Sequence, residues 1–338
     1  MSNRTITVGE NTCPPGECCF GKILVGYHQD SAELNLWTTI VNGAHEGPTL
    51  YLGGLIHGTE IIGVEVIHQI TRQLVNPKEL RGAIIAIPIQ NPLAFRTSSY
   101  HSLEDGLNAN RIFPGDMDET LTNRIVAHIY QNALSQSNFA IDFHSNVLDS
   151  IHFNFIRWRE EEAWQQSVAM SQAFGTTTVL SVAKKYGFGF EERLAGLLCD
   201  VALEEGIPTI TVELTAWYHW NEPSIRAGVR GTLNVMKHLG MLDGEIEEQD
   251  EIAVIPQVLG PQLRVTAEKG GIVRPTATVG EWVTKDQVVA VVKNPWGDVI
   301  EEIRLPTDCY LLSFPHRGTH AVASGDTVVF GAPISDLV

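Results

Sequence analysis

The sequence predicts an α/β protein, with a mainly parallel mixed sheet flanked by helices and a smaller all-β domain after it. Two observations carry this reading. Between residues 49 and 240, short apolar runs alternate with segments at helical spacing. From Ile252 onward only short Val-rich runs remain, separated by turns such as Lys269-Gly270-Gly271, Asn294-Pro295-Trp296-Gly297-Asp298 and Ser324-Gly325-Asp326. Strand–helix alternation implies a largely buried sheet with helices on both faces, whereas strands spaced by turns imply an all-β unit.

Residues 1–30 carry no clear period and are expected to be irregular. Cys13, Cys18 and Cys19 lie there around Pro14 and Pro15, in a spacing that matches no common zinc pattern. Leu34 to Ile40 alternates as a half-buried strand does. Thr49 to Leu55 reads as an apolar strand, and Ile61 to Leu74 as a helix through Val64, Ile67, Ile70 and Leu74. Ala83 to Ile89 is a buried strand, Asp118 to Leu134 a helix, and Phe139 to Phe143 and Ile151 to Ile156 are strands. A helix follows over Glu160 to Phe174, a strand over Thr177 to Val182, and a helix over Glu191 to Glu205, stopped by Gly206. The last pair is a strand, Pro208 to Leu214, and a helix, Glu222 to Leu239, stopped by Gly240. The expected catalytic domain is therefore 31–242. Residues 243–251 hold six acids in nine positions and read as a solvated linker, and 252–338 form the β-domain.

The chain has 338 residues, 43% of them hydrophobic, and 40 Asp and Glu against 23 Lys and Arg, for a net charge of −17. Such a balance speaks against nucleic acid and anionic membranes as partners, because both need clustered cations. No apolar run approaches the roughly 20 residues of a membrane span. Met1 to Glu10 is polar, with no signal-peptide core, and five cysteines, an odd number, fit a reducing compartment better than a disulfide scaffold. The expected location is the cytoplasm. The sequence leaves the oligomeric state open, a homo-oligomer included.

Four segments fall where strand ends and following loops are expected, and ligands of open α/β sheets sit at carboxyl ends of strands. In Gly53-Gly54-Leu55-Ile56-His57-Gly58-Thr59-Glu60, His57 and Glu60 are three apart at a strand-to-helix corner and can converge as zinc ligands. The same spacing in His101-Ser102-Leu103-Glu104 lacks that corner and means nothing by itself. In Ile141-Asp142-Phe143-His144-Ser145 the period of a strand puts Asp142 and His144 on one face, with His144 the natural third ligand. Asn110 and Arg111, in a Gly- and Asn-rich loop, offer amide donors and a guanidinium fork suited to a substrate carboxylate. Glu213 interrupts the apolar strand Thr209 to Leu214, as a general base beside an open metal position would. Each segment alone also fits an ordinary polar loop or a strand-end side chain.

In combination and in this order they resemble the succinylglutamate desuccinylase/aspartoacylase family of the zinc carboxypeptidase-like fold. The quoted pattern is Gly-Gly-x-x-His-Gly-x-Glu, Asn-x-Asn-Arg-x-Phe-Pro-Gly, Asp-x-His and Val-Glu-Leu, over roughly Leu50 to Gly240. The turns at Gly280-Glu281-Trp282-Val283 and Ser324 to Val328 resemble the barrel-sandwich domain that such proteins carry. The resemblance implies one Zn2+ per chain on His57, Glu60 and His144, with Glu213 as general base and then acid. Asn110 and Arg111 would clamp the free carboxylate of a small N-acylated substrate. Arg96, after Asn91-Pro92, would polarise the scissile carbonyl. Two departures stand out. Tyr100 occupies the place of a second arginine of many relatives, and Asn108 replaces the Asp that orients the first histidine in peptidase relatives.

The expected activity is hydrolysis of the amide of a small N-acyl amino acid or related carboxylate by metal-activated water. The alternatives are a zinc carboxypeptidase acting on peptides and a non-catalytic ligand-binding relative. Among other residues, Trp217, Tyr218, His219 and Trp220 could line a pocket or cap the sheet. His152 is expected to pack, Arg157 and Arg159 to start a solvated helix, and His316 and His320 to lie in surface turns. Lys293 does not fit a modified-lysine hairpin.

Overall fold

A computed structural model describes residues 4–158, 162–182, 196–315 and 320–336. Its centre is an eight-stranded mixed sheet. The strands in chain order are β1 (Ile6–Val8), β2 (Asn11–Cys13), β3 (Glu17–Tyr27), β4 (Glu33–Asn42), β5 (His45–Gly54), β6 (Arg81–Ile87), β7 (Phe139–Asn146), β8 (Phe153–Trp158), β9 (Thr177–Val182) and β10 (Thr209–Thr215). β1 and β2 form a separate two-stranded pair, and the large sheet runs β3-β4-β6-β5-β7-β10-β8-β9. Its heart is parallel: β5 pairs with β6 and β7, and β7 with β10. Central parallel strands are covered on both faces, which is why Leu50, Tyr51 and Leu52 of β5 are all buried.

The helices are α1 (Ile62–Gln69), α2 (Pro92–Arg96), α3 (Leu121–Asn132), α4 (Glu162–Phe174), α5 (Leu198–Glu204) and α6 (Glu222–His238). They divide between the faces. One core joins Ile125, Val126 and Ile129 of α3 and Leu198 of α5 to the sheet; the other joins Ile62, Val66 and Ile67 of α1, Phe174 of α4 and Ile225 and Val235 of α6. α6 begins where the Asn221 side chain accepts from the Ser224 amide, with Pro223 in its first turn. The helix expected over 61–74 closes in a wider turn over Ile70–Leu74. Of the helix expected over 191–205, residues 191–195 lie outside the described residues.

Three expectations are corrected. The segment 1–30 is not irregular: β3 pairs along its length with β4, from Glu17 opposite Asn42 to Tyr27 opposite Glu33. Its cysteines include a disulfide, Cys13 to Cys19, while Cys18 is free. The acidic stretch 243–251 is not a free linker. It lies along α6, held by ion pairs Arg226–Glu251, Arg230–Asp250 and Lys237–Glu247, and Asp243 pairs with Arg81.

The C-terminal region forms two four-stranded antiparallel sheets. One is built from 263–266, 327–332, 309–313 and 282–283, the other from 299–303, 290–293, 271–275 and 321–322. Val273, Val292, Leu311 and Val328 fill the space between them. This unit docks on the β8–β9 end of the large sheet, where Ile151, Phe153, Val179, Leu259, Leu312 and Ala332 form a shared cluster. Backbone bridges Ser150–Ser313 and Val179–Leu259 join the two.

Candidate active site

The site lies at the carboxyl ends of β5, β7 and β10. Beyond Gly54 the chain turns through Leu55, at φ 53°, and presents His57 before α1 begins. Gly58 makes this corner feasible, since a Cβ there would lie 2.0 Å from the Ala94 carbonyl oxygen. Glu60 follows three residues on. On β7, Asp142 and His144 point to one face, as the strand period requires, and in the parallel register Glu213 of β10 stands opposite His144.

His57, Glu60 and His144 are all buried, and one ligand atom from each lies within 4.8 Å of the others. Both imidazoles turn Nδ1 toward the carboxylate: His57 Nδ1 is 2.8 Å from Glu60 Oε1, and His144 Nδ1 is 3.0 Å from Oε2. The opposite nitrogens are held from behind. His144 Nε2 is 3.0 Å from Asp142 Oδ2, and His57 Nε2 is 3.3 Å from Asn108 Oδ1. An ionised carboxylate can only accept, so with a cation bound to Nδ1 the proton of His144 would sit on Nε2, facing Asp142. Asp142 is itself fixed by a buried chain, in which Tyr51 Oη donates to Gln90 Oε1 and Gln90 Nε2 donates to Asp142 Oδ1.

These residues fit a divalent cation. Glu60 Oε2 is buried and makes no hydrogen bond, although His144 Nδ1 is near. Two imidazole nitrogens and a carboxylate oxygen are a donor set that suits zinc, and three protein ligands leave a position open.

The charges act strongly on one another. Burial alone would raise the Glu60 carboxyl, yet the two imidazoles outweigh it and hold it at about 2. Burial would lower His144, but Glu60 and Asp142 carry it well above the ordinary histidine value. Burial raises Glu213 to about 7; His144 acts against this, while Glu60 and Asp142 add to it.

A cavity of about 350 Å³ opens over these groups. Arg111 lines it, its Nη1 donating to the Asn110 carbonyl at 2.6 Å. Asn110 is buried; its Oδ1 accepts from the Leu198 amide and its Nδ2 stands 3.2 Å from His144 Nε2. Gly196, at φ 73°, brings Leu197 against this loop, because a Cβ there would meet the Arg111 carbonyl oxygen at 2.3 Å.

The profile of the succinylglutamate desuccinylase/aspartoacylase catalytic domain matches residues 46–239, more than half of the chain and every residue just described around the metal group. The chain belongs to the succinylglutamate desuccinylase/aspartoacylase family. It is 28% identical over 295 residues to the N-alpha-acetyl-L-2,4-diaminobutyric acid deacetylase of Halomonas elongata, covering 86% of this chain and 83% of that protein. Among solved structures, a succinylglutamate desuccinylase from a Silicibacter species superposes with a TM-score of 0.80 at 25% identity, over 99% of this chain and 100% of that one. The product-bound ectoine utilization protein of Ruegeria pomeroyi gives 0.81 at 26% identity, over 98% of this chain and 100% of that one.

Within this family frame, some expected residues fall elsewhere. Arg96 does not enter the cavity: it is exposed at the end of α2, where its Nη1 donates to His28 Nε2 at 2.6 Å. This placement gives the expected role of Arg96 at the carbonyl no support. Arg157 starts no solvated helix but is buried on β8, its Nε 2.6 Å from Asp200 Oδ1. Arg159 and His316 lie outside the described residues. His152 packs as expected, bonded through Nε2 to Ser224 Oγ at 2.8 Å and Thr215 Oγ1 at 3.1 Å, and burial lowers it to about 4. Trp217 lines the cavity and donates through Nε1 to Thr59 Oγ1, whereas Tyr218, His219 and Trp220 are exposed.

Sequence reasoning missed part of the wall. Phe153 and Phe155 of β8 stand opposite Glu213 and Thr211 of β10 and line the cavity, a pattern visible as Phe-x-Phe in the strand after His144. Gln262, Ser313, Pro315 and Phe330 reach in from the C-terminal unit, and no local signal marks them.

Among the described residues, no helix is long and apolar enough to cross a membrane.

Proposed function

We propose that this protein is a zinc-dependent deacylase that hydrolyses the amide of a small N-acylated amino acid, with water as co-substrate and a carboxylic acid and an amine as products. The observation that carries this reading is the pairing of the His57–Glu60–His144 group with Glu213 across one strand register. His57, Glu60 and His144 would hold the zinc, one ion per chain. Zinc bound there supplies a Lewis acid and acidifies water toward a pKa of about 7.

The chain's own groups do the rest. Arg111, with Asn110 beside it, binds the free carboxylate of the substrate and fixes which end of the molecule faces Glu213. Glu213, poised at about 7 by burial, takes a proton from the attacking water. The same carboxyl then hands that proton to the leaving nitrogen as the C–N bond breaks, which returns Glu213 to its ionised form. Asp142 and Asn108 keep the two imidazoles turned so that Nδ1 faces inward throughout.

The names of the relatives support the acyl-amide class: a deacetylase of an N-acetylated diamino acid and a succinylglutamate desuccinylase. A peptidase reading ranks below it, because Gln262, Ser313, Pro315 and Phe330 of the C-terminal unit close one side of the cavity and favour small substrates over chains.

The test is zinc per chain together with hydrolysis of a panel of N-acetyl and N-succinyl amino acids, on one sample. About one zinc and turnover on that panel are expected. Release of C-terminal residues from peptides in preference to the panel would reverse the ranking. A zinc-loaded protein inactive on both would end the hydrolase reading.

A further inference from the structure

We propose that the buried ion pair Arg157–Asp200 positions the carboxylate clamp: through α5 it fixes the loop that holds Asn110 and Arg111, and so sets the affinity for the free carboxylate of the substrate. This inference rests on the deacylase reading, in which Arg111 binds that carboxylate. Neither Arg157 nor Asp200 lines the cavity, so the pair acts through its neighbours.

A chain of contacts leads from the pair to the clamp. On β8, Arg157 Nε donates to Asp200 Oδ1 at 2.6 Å, and its Nη1 donates to Ser181 Oγ of β9 at 3.0 Å, which ties the guanidinium to the sheet. Asp200 lies in the first turn of α5. The amide of Leu198, where α5 begins, donates to Asn110 Oδ1 at 2.9 Å. The carbonyl of Gly196 accepts from the Phe113 amide at 3.0 Å. The segment that Asp200 anchors therefore grips the loop on both sides of Arg111. Within the loop, Arg111 Nη1 donates to the Asn110 carbonyl at 2.6 Å, so the guanidinium follows the placing of Asn110.

The chemistry of the pair suits positioning better than packing. Arg157 and Asp200 are each only 7% exposed. The cost of burying two charges largely offsets their attraction, so the pair adds little stability that two apolar side chains would not. What it adds is direction. A guanidinium bonded at once to a carboxylate and a hydroxyl restricts how α5 sits, whereas apolar contacts let a helix slide. A shift of about 1 Å at Leu198 would move Asn110, and the fork of Arg111 with it, off the line to a bound carboxylate.

The experiment uses the zinc-loaded full chain and the best substrate of the acyl panel. One variant is Asp200→Asn, which keeps an acceptor and loses the charge. The other joins Arg157→Met with Asp200→Leu, which leaves no unpaired charge buried. Each is made alone and together with Arg111→Ala, and kcat, KM and zinc affinity by chelator competition are measured. With Arg111 in place, KM is expected to rise about 3- to 30-fold, with kcat and zinc affinity within about twofold. In the Arg111→Ala protein the same changes should move KM by less than about twofold, because the clamp they act through is gone. An unchanged KM in a folded variant would overturn the proposal. So would an equal rise in KM without Arg111, or a fall in kcat or zinc affinity as large as the rise in KM, since each marks a general loosening of the site. Failure of both variants to fold would overturn it too, because the pair would then hold the core rather than the clamp. Failure of the unaltered, zinc-loaded protein on the whole panel would instead overturn the deacylase reading.

Discussion

Asn108 stands behind His57 with its amide oxygen 3.3 Å from Nε2, while a full carboxylate, Asp142, stands 3.0 Å behind Nε2 of His144. The two candidate ligand imidazoles are thus supported unequally. An amide accepts the same proton but lends no charge, so His57 is the weaker base toward a metal. Asn108→Asp is expected to tighten zinc binding, and Asp142→Asn to weaken it by about 10- to 100-fold. Chelator competition on the two variants checks both directions, and an Asn108→Asp protein with weaker zinc binding would refute the assignment.

In the proposed mechanism Glu213 carries a proton, and among the described residues no hydrogen bond joins it to His57, Glu60 or His144, so removing its basicity should separate chemistry from zinc binding. Glu213→Gln is expected to abolish turnover, by about a thousandfold or more, with zinc per chain unchanged. Its pH dependence follows from burial, which raises the carboxyl to about 7. A base works only when ionised, so activity falls as pH drops through about 7 and is retained above it. A kcat profile flat between pH 5 and 8 would contradict that role.

Arg111 and Arg96 should behave oppositely. Arg111 lines the cavity and Arg96 does not. Arg111→Ala is expected to raise KM by about 10- to 100-fold, the cost of losing a charge-assisted bond to a substrate carboxylate. Arg96→Ala should leave kcat and KM within about twofold. Steady-state kinetics on both variants decide it.

His152 couples stability to pH. Burial holds its imidazole at about 4, so the folded protein keeps it neutral, bonded to Ser224 and Thr215, while the unfolded chain takes up a proton near about 6.5. A histidine depressed in this way costs no stability above the unfolded value and progressively destabilises the fold as pH falls from there toward about 4. At pH 5 the loss relative to pH 7 is about 2 kcal/mol from this group. His152→Gln, which can still bond to Ser224 but cannot be charged, should remove that part of the pH dependence in denaturant unfolding.

Much of this was legible in the amino-acid order because it depends on local period. The alternation of strands and helices from Thr49 to Leu239 follows from spacing that a short window reveals. So does the placing of His57 and Glu60 on a strand-to-helix corner, and of Asp142 and His144 on one face of a strand. The segment 1–30 was not legible: β3 is a strand because β4 offers it an edge, and its own sequence mixes Gly21, Gly26 and polar residues without a clear period.

Contacts between distant segments needed the tertiary structure. That Arg96 turns to His28, that Arg157 is buried against Asp200, and that Tyr100 stacks on His57 all depend on which loops meet above the sheet. The same holds for Phe330 and Pro315, which reach the cavity from a unit that follows the catalytic strands in the chain. The order of residues alone placed the candidate ligands and the candidate base at strand ends and a strand-to-helix corner, because regular strands and helix starts aim side chains by fixed geometry. Only the folded packing decided what surrounds them, because long-range neighbours are set by strand order and domain docking, for which no local window carries a signal.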